Sequence, residues 1–187
     1  MGMLFAVADT ETTGLPLHRK AKLSQQPRII EVAGIITDGI NILDEFEVIV
    51  NPGVAIEQII TEITGLKNDD LEDKPSFSEV INPIGEYFKK ADAVIFHNAS
   101  FDRSMFVYDL EHIGKTLTDI MWPQLTICTV EESMHRYGRR MKLIELYELL
   151  VGPYTQKHRA LDDVKLLHEV CKTMGVYKAY QAMEVPV

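Results

Sequence analysis

The chain has 187 residues, 46% of them hydrophobic and 25% charged. That is the size and composition of one folded domain and not of a disordered segment. Acidic residues number 28 against 19 Lys plus Arg, a formal net charge of −9. Such a balance argues against a protein that coats nucleic acid, because phosphate affinity comes from an excess of Lys and Arg. No apolar run reaches the roughly 18 residues a membrane span needs. Cys128 and Cys171 are the two cysteines and form no CxxC. They support neither a disulfide framework nor a zinc site, and they fit a reducing, cytoplasmic setting.

The apolar stretch from Leu4 runs into Asp9 without a basic flank, so it reads as a buried strand and not as a signal peptide. Ile29 to Thr37 and Leu43 to Val50 are β-branched runs around Asp38-Gly39, which predicts a hairpin after the first strand. Ile56, Ile59, Ile60 and Ile63 recur with a helical period before Gly65. Pro75-Ser76 opens a helix reaching about Lys90, with Ser76 and Glu79 in capping-box spacing. Ala93 to Phe96 is a short buried strand, and Ala99 to Ile113 a helix stopped by Gly114. Leu125 to Val130 reads as a strand, Met141 to Leu150 as a short helix, and His158 to Met174 as a long helix stopped by Gly175. No linker or repeat divides the chain, so residues 1–187 read as a single domain with a short tail at 176–187 that is expected to pack. A hairpin followed by strand–helix alternation predicts an α/β fold, a mixed sheet with helices packed on it.

Acids stand at the ends of these elements in three places. In Asp9-Thr10-Glu11-Thr12-Thr13-Gly14-Leu15, Asp9 and Glu11 are two apart, so both side chains project from one side of a strand. Taken alone, this pair also fits a polar strand exit. In His97-Asn98-Ala99-Ser100-Phe101-Asp102, Asp102 occupies the first turn of a helix, where the helix dipole favours an acid. It also falls on the apolar face with Phe101, Met105 and Phe106, where a carboxylate needs a partner or a cation. In His158-Arg159-Ala160-Leu161-Asp162-Asp163, a step of about 100° per residue turns Asp162 to solvent and sets Asp163 on the flank of the apolar stripe. A histidine before a helix is by itself commonly a surface residue. Carboxylates that converge repel one another unless divalent cations neutralise them. An all-oxygen donor set favours Mg²⁺ or Mn²⁺. Two such ions about 4 Å apart clamp the attacking and leaving oxygens of a phosphoryl displacement, and a histidine can deprotonate the attacking water.

DTETTGL, HNASFD and HRALDD, in that order, resemble the three motifs of the DEDDh exonucleases. This family includes the DnaQ-like proofreading ε subunit of bacterial DNA polymerase III and RNase T. The ITGL at Ile63 to Leu66 and the Pro75-Ser76-Phe77 after it also resemble the family's spacer, so the likeness spans roughly Phe5 to Leu167. It implies a ribonuclease H-like fold, a five-stranded mixed sheet flanked by helices. It also implies that Asp9 bridges two divalent cations, that Glu11 and Asp163 complete the site of the water-activating one, and that Asp102 holds the second. His158 would be the general base. In the tyrosine subtype that residue lies four before the last Asp, a place held here by Arg159, so the histidine subtype is implied. Thr10, Thr12, Leu15, His97, Asn98 and Phe101 match positions beside the terminal nucleotide, although Phe101 also suits core packing.

The implied reaction removes 5′-mononucleotides from the 3′ end of single-stranded DNA, in proofreading or repair and with a DNA polymerase as a natural partner. The rival readings are a 3′→5′ exoribonuclease, a non-catalytic polymerase-associated module, and a metal-dependent phosphatase or endonuclease. His18-Arg19-Lys20-Ala21-Lys22 and the cluster Arg136, Arg139, Arg140 and Lys142 could hold backbone phosphates or be solvated surface. The resemblance implies that four of the acids belong to a metal site, so the −9 does not exclude an enzyme that grips only a few terminal nucleotides.

Overall fold

The computed structural model describes residues 2–18, 20–154 and 159–183. Strands β1 (Phe5–Thr12), β2 (Ile29–Thr37), β3 (Ile42–Ile49), β4 (Ala93–Phe96) and β5 (Leu125–Cys128) form one sheet in the order β3-β2-β1-β4-β5. β1–β2 and β2–β3 pair antiparallel, whereas β1–β4 and β4–β5 pair parallel. This is the mixed, five-stranded, ribonuclease H-like sheet expected from the sequence. The β2–β3 turn falls on Asp38-Gly39, with Gly39 at φ +93° and the Asp38 carboxylate accepting the amides of Ile40 and Asn41.

Alternation along β1 divides the molecule into two cores. Ala6 and Ala8 face one way, towards α3 (Phe77–Phe88) and α4 (Ala99–His112), in a cluster that contains Phe77, Phe88, Phe96 and Phe106. Phe5 and Val7 face the other way, towards α6 (Leu143–Leu150) and α7 (Ala160–Met174), and meet Leu146, Val164, Leu167 and Cys171. Continuing the alternation, Asp9 and Glu11 follow Val7 onto the α7 face, while Thr10 and Thr12 follow Ala8 onto the α4 face. Tyr87 of α3 reaches under the sheet, and its hydroxyl lies 3.0 Å from the Val7 carbonyl and 3.1 Å from that of Ile35. At the N-terminus of α3 the Ser76 amide donates to Glu79 at 2.8 Å, the capping arrangement that the spacing predicts.

Several boundaries differ from the sequence reading, each for a local reason. The first strand does not stop at Asp9 but runs to Thr12, because β2 goes on pairing opposite it, Glu11 with Glu31 and Thr12 with Ile29. The last strand ends at Cys128, not Val130. Thr129 and Val130 instead open α5 (Thr129–Tyr137), which buries Thr129, Val130 and Ser133 at helical spacing. The helix predicted from Ile56 is α1 (Gln58–Thr64). Ile56 precedes it and is buried with Ile30, Leu66 and Leu71, while Ile59 and Ile63 are exposed. The helices predicted from Met141 and His158 begin at Leu143 and Ala160. The short helices α2 (Asn68–Glu72) and α8 (Val176–Gln181), and single 3₁₀ turns at Leu23–Gln25 and Leu117–Ile120, complete the fold. Val176 and Tyr177 are buried. No helix among the described residues is long and apolar enough to cross a membrane.

Candidate active site

The site forms where the sheet becomes uneven. β4 pairs with β1 only from Phe5 to Val7, so Asp9 to Thr12 extend past it with a partner on the β2 side alone. The first turns of α4 and α7 approach this overhang from opposite faces. From β1 and α7, Asp9, Glu11 and Asp163 bring carboxylate oxygens within 4.8 Å of one another. Asp163 is buried and Asp162 is partly exposed, as the helical wheel predicts. Asp102 is 1% exposed on the α4 face and accepts a 2.8 Å hydrogen bond from the Thr10 hydroxyl. Thr10 is therefore the partner that a carboxylate on an apolar face requires. Asp102 also presses on Asp9 electrostatically, so the four acids act as one electrostatic unit at the end of β1.

That proximity is costly without a counter-ion. Burial and the neighbouring carboxylates Asp102, Glu11 and Asp163 hold Asp9 well above the usual carboxylate range. Glu11 is pushed up to about 8, first by burial and then by Glu31, Asp163 and Asp102. Burial raises Asp102 to about 7 against the Thr10 hydrogen bond. The donor set is all oxygen and fits a hard divalent cation, which would replace the protons these acids otherwise retain.

The folded, metal-free protein holds these protons more tightly than the unfolded chain does. Its stability should therefore fall as pH rises from the unfolded Glu11 value of 4.5 through about 8. A cation needs the deprotonated site, so its stabilising effect grows across the same window. Thermal melts in EDTA and in Mg²⁺ should diverge as pH rises, and a constant gap would contradict this charge balance.

An open cleft of about 470 Å³ adjoins the acids. Asp9, Asp163, His97, Asn98, Arg140 and Lys142 are among its lining residues. Asn98 caps α4 in the left-handed region at φ +69°. This costs energy for a residue with a Cβ, and it turns the chain sharply from β4 into the helix. His97 Nδ1 lies 2.9 Å from Thr129 Oγ1, and burial lowers His97 to about 4, so it is neutral near pH 7. Thr12 is buried, its hydroxyl donating to the Gly14 carbonyl at 2.8 Å. Leu15 is 78% exposed beside this turn. Phe101 is half-buried against the α4-side core and is not among the residues lining the cleft. His158 and Arg19 lie outside the described residues.

Sequence reasoning missed Glu31, Thr129 and the place of Arg140 in the cleft beside the acids. Glu31 carried a readable signal, being the one acid inside the otherwise apolar run IIEVAGIIT.

A sequence profile for the RNase_T family, described as "Exonuclease", matches residues 6–171. The chain belongs to this exonuclease family. Its curated relatives include the PolC-type DNA polymerase III of Caldanaerobacter subterraneus subsp. tengcongensis, 32% identical over 168 residues. That alignment covers 89% of the chain but 11% of the relative, so the exonuclease chain spans only a small part of the PolC-type protein. The 3′-5′ exonuclease DinG of Bacillus subtilis is 31% identical over 166 residues, covering 87% of this chain and 16% of DinG. The DNA polymerase III subunit epsilon of Treponema pallidum is 25% identical over 192 residues and matches over most of its length, with 95% and 79% covered. Among solved structures, the nuclease domain of 3′hExo, a DEDDh family member bound to rAMP, superposes with a TM-score of 0.76 at 16% identity. It covers 94% of this chain and 92% of its own. Exonuclease X in complex with 5′ overhanging duplex DNA superposes with a TM-score of 0.66 at 22% identity, covering 94% and 93%. The family membership and fold implied by the three motifs are thus borne out.

Proposed function

We propose that this domain hydrolyses the last phosphodiester bond at the 3′ end of single-stranded or frayed DNA, releasing 5′-mononucleotides one at a time. The observation that carries the proposal is the convergence of Asp9, Glu11 and Asp163 within 4.8 Å, with Asp102 adjoining from the opposite face of β1. Asp9, Glu11, Asp102 and Asp163 would hold two divalent cations, Mg²⁺ or Mn²⁺. When bound, such ions supply Lewis acidity and charge neutralisation for phosphoryl transfer.

The remaining steps fall to the protein. His158 takes the proton of the attacking water. Thr10 orients Asp102 by hydrogen bonding to it. Thr12 and Leu15 sit at the turn where the terminal nucleotide would enter. Neutral His97, with Asn98, forms a wall of the nucleotide cleft, while Phe101 supports the first turn of α4 from the core side.

Relatives named as DNA polymerase III components support DNA as substrate, a polymerase as partner, a proofreading or repair role and a cytoplasmic setting. The rAMP-bound neighbour supports the second reading, an exoribonuclease. Single-stranded DNA and RNA of one sequence, each 5′-labelled, discriminate the two. DNA should shorten faster, from its 3′ end, and a closed DNA circle should survive. Faster RNA digestion would select the second reading, and circle cleavage would overturn exonuclease action.

A further inference from the structure

Beside the acid cluster lies a carboxylate with a different fate. Glu31 of β2 stands directly opposite Glu11 in the β1–β2 register, and its side chain is fully buried. That acid adds a further negative charge beside the cluster. Arg159, the residue before α7, meets it. Its Nη2 lies 2.8 Å from Glu31 Oε1 and its Nε 3.3 Å from Oε2, a two-pronged contact. The same Nη2 lies 3.6 Å from Glu47 on β3. The Arg159 carbonyl also accepts the Asp163 amide at 3.0 Å. A forked guanidinium between β2 and β3 is thus linked through one helical turn to an acid of the site.

We propose that Arg159 is a positioning residue: held by Glu31 and Glu47, it fixes the first turn of α7, and with it the Asp163 carboxylate, against β1. It also satisfies the Glu31 charge, so that this carboxylate stays out of the metal-holding set. The proposal rests on the exonuclease reading of the cluster. A planar fork is required, because a lysine supplies the charge but only one point of attachment. Lys165, on the same helix and paired with Glu45 at 3.0 Å, makes an exposed contact of the kind that contributes little, so it serves as the control.

The test uses the metal-stripped 187-residue chain. Mn²⁺ affinity is read by calorimetry, and kcat and KM on a 5′-labelled DNA strand. Arg159→Ala should weaken Mn²⁺ binding by about tenfold and lower kcat by roughly 10- to 100-fold, as for residues that orient metal ligands. KM should change by less than about threefold, because no contact to the bulk of the substrate is lost. Arg159→Lys should fall between Arg159→Ala and wild type, and Lys165→Ala should match wild type. The double variant Glu31→Gln/Arg159→Ala should lose no more than Arg159→Ala alone, because the two residues act as one unit. Wild-type Mn²⁺ affinity in Arg159→Ala, or losses that multiply in the double variant, would overturn the proposal. So would loss of the cooperative unfolding transition in both Arg159 variants, which would make the residue a strut. If wild-type protein fails to shorten DNA, the exonuclease reading falls, yet the Mn²⁺ comparison still decides the role of Arg159.

Discussion

Replacing Asp9 by Asn should abolish digestion of a DNA 3′ end while leaving the fold intact. Asp9 shares the α7 face of β1 with Glu11 and Asp163 and is also pressed electrostatically by Asp102 from the α4 side. In the proposed two-cation arrangement it is the carboxylate that would serve both ions, since Asp102 is the first of the charges pressing on it and Glu11 and Asp163 are the next. Asn keeps the shape and one carbonyl oxygen but removes the charge that holds the ions. Losing a group on which the whole catalytic set depends typically costs about 10⁴-fold or more in kcat. The same substitution relieves repulsion in the metal-free protein, because Asp9 is crowded by four other carboxylates. Asp9→Asn should therefore melt at or above the wild-type temperature in EDTA, and the two should differ in their response to Mg²⁺. Activity within tenfold of wild type would remove Asp9 from the mechanism.

The second large effect concerns the fold beneath the site. Gly34 of β2 lies over the Tyr87 hydroxyl. A Cβ added there would stand 2.0 Å from that oxygen, 2.4 Å from the ring carbon bearing it, and 2.9 Å from the Val7 carbonyl. Tyr87 is 2% exposed and stacked against Phe46 with ring centroids 5.1 Å apart, so it cannot simply swing away. Gly34→Ala should destabilise by about 3 kcal/mol or more, the upper range for overpacking a rigid core. In a domain of this size that lowers the melting temperature by roughly 6–12 °C. Trimming the ring with Tyr87→Leu in the same chain should recover part of the loss. A wild-type melting temperature for Gly34→Ala would show that Tyr87 and β2 separate easily, contrary to this packing.

These two positions illustrate what sequence reasoning reaches and where it stops. The acids were legible because each stands at the end of an apolar element, where a carboxylate has no packing role. Separating Asp163 from Asp162 needs only the helical period. Gly34 was not legible, since nothing local distinguishes a glycine in a strand that leaves room for a distant tyrosine from one that merely weakens it. The Glu31–Arg159 clamp joins residues 128 apart in the chain, and no periodicity relates them. Only the presence of an acid within a buried run hinted that a partner existed. The missed helix α5 has a different cause. Only Thr129 separates Val130 from the apolar residues of β5, so the change of period from two to nearly four lies hidden inside one largely β-branched and apolar stretch. Assignment of Thr10 to the α4 face required knowing that β1 continues past Asp9, which the antiparallel partner decides and the strand's own residues do not.

The proposed hydrolysis at a 3′ end, driven by divalent cations on the four carboxylates around the overhang of β1, is decided by incubating metal-stripped protein with a 5′-labelled single strand of DNA and titrating in Mg²⁺, then EDTA. A ladder that shortens from the 3′ end only when Mg²⁺ is present, stops on EDTA and is absent for Asp9→Asn is the predicted result. Undiminished shortening in EDTA, or an Asp9→Asn protein that produces the same ladder, would contradict it.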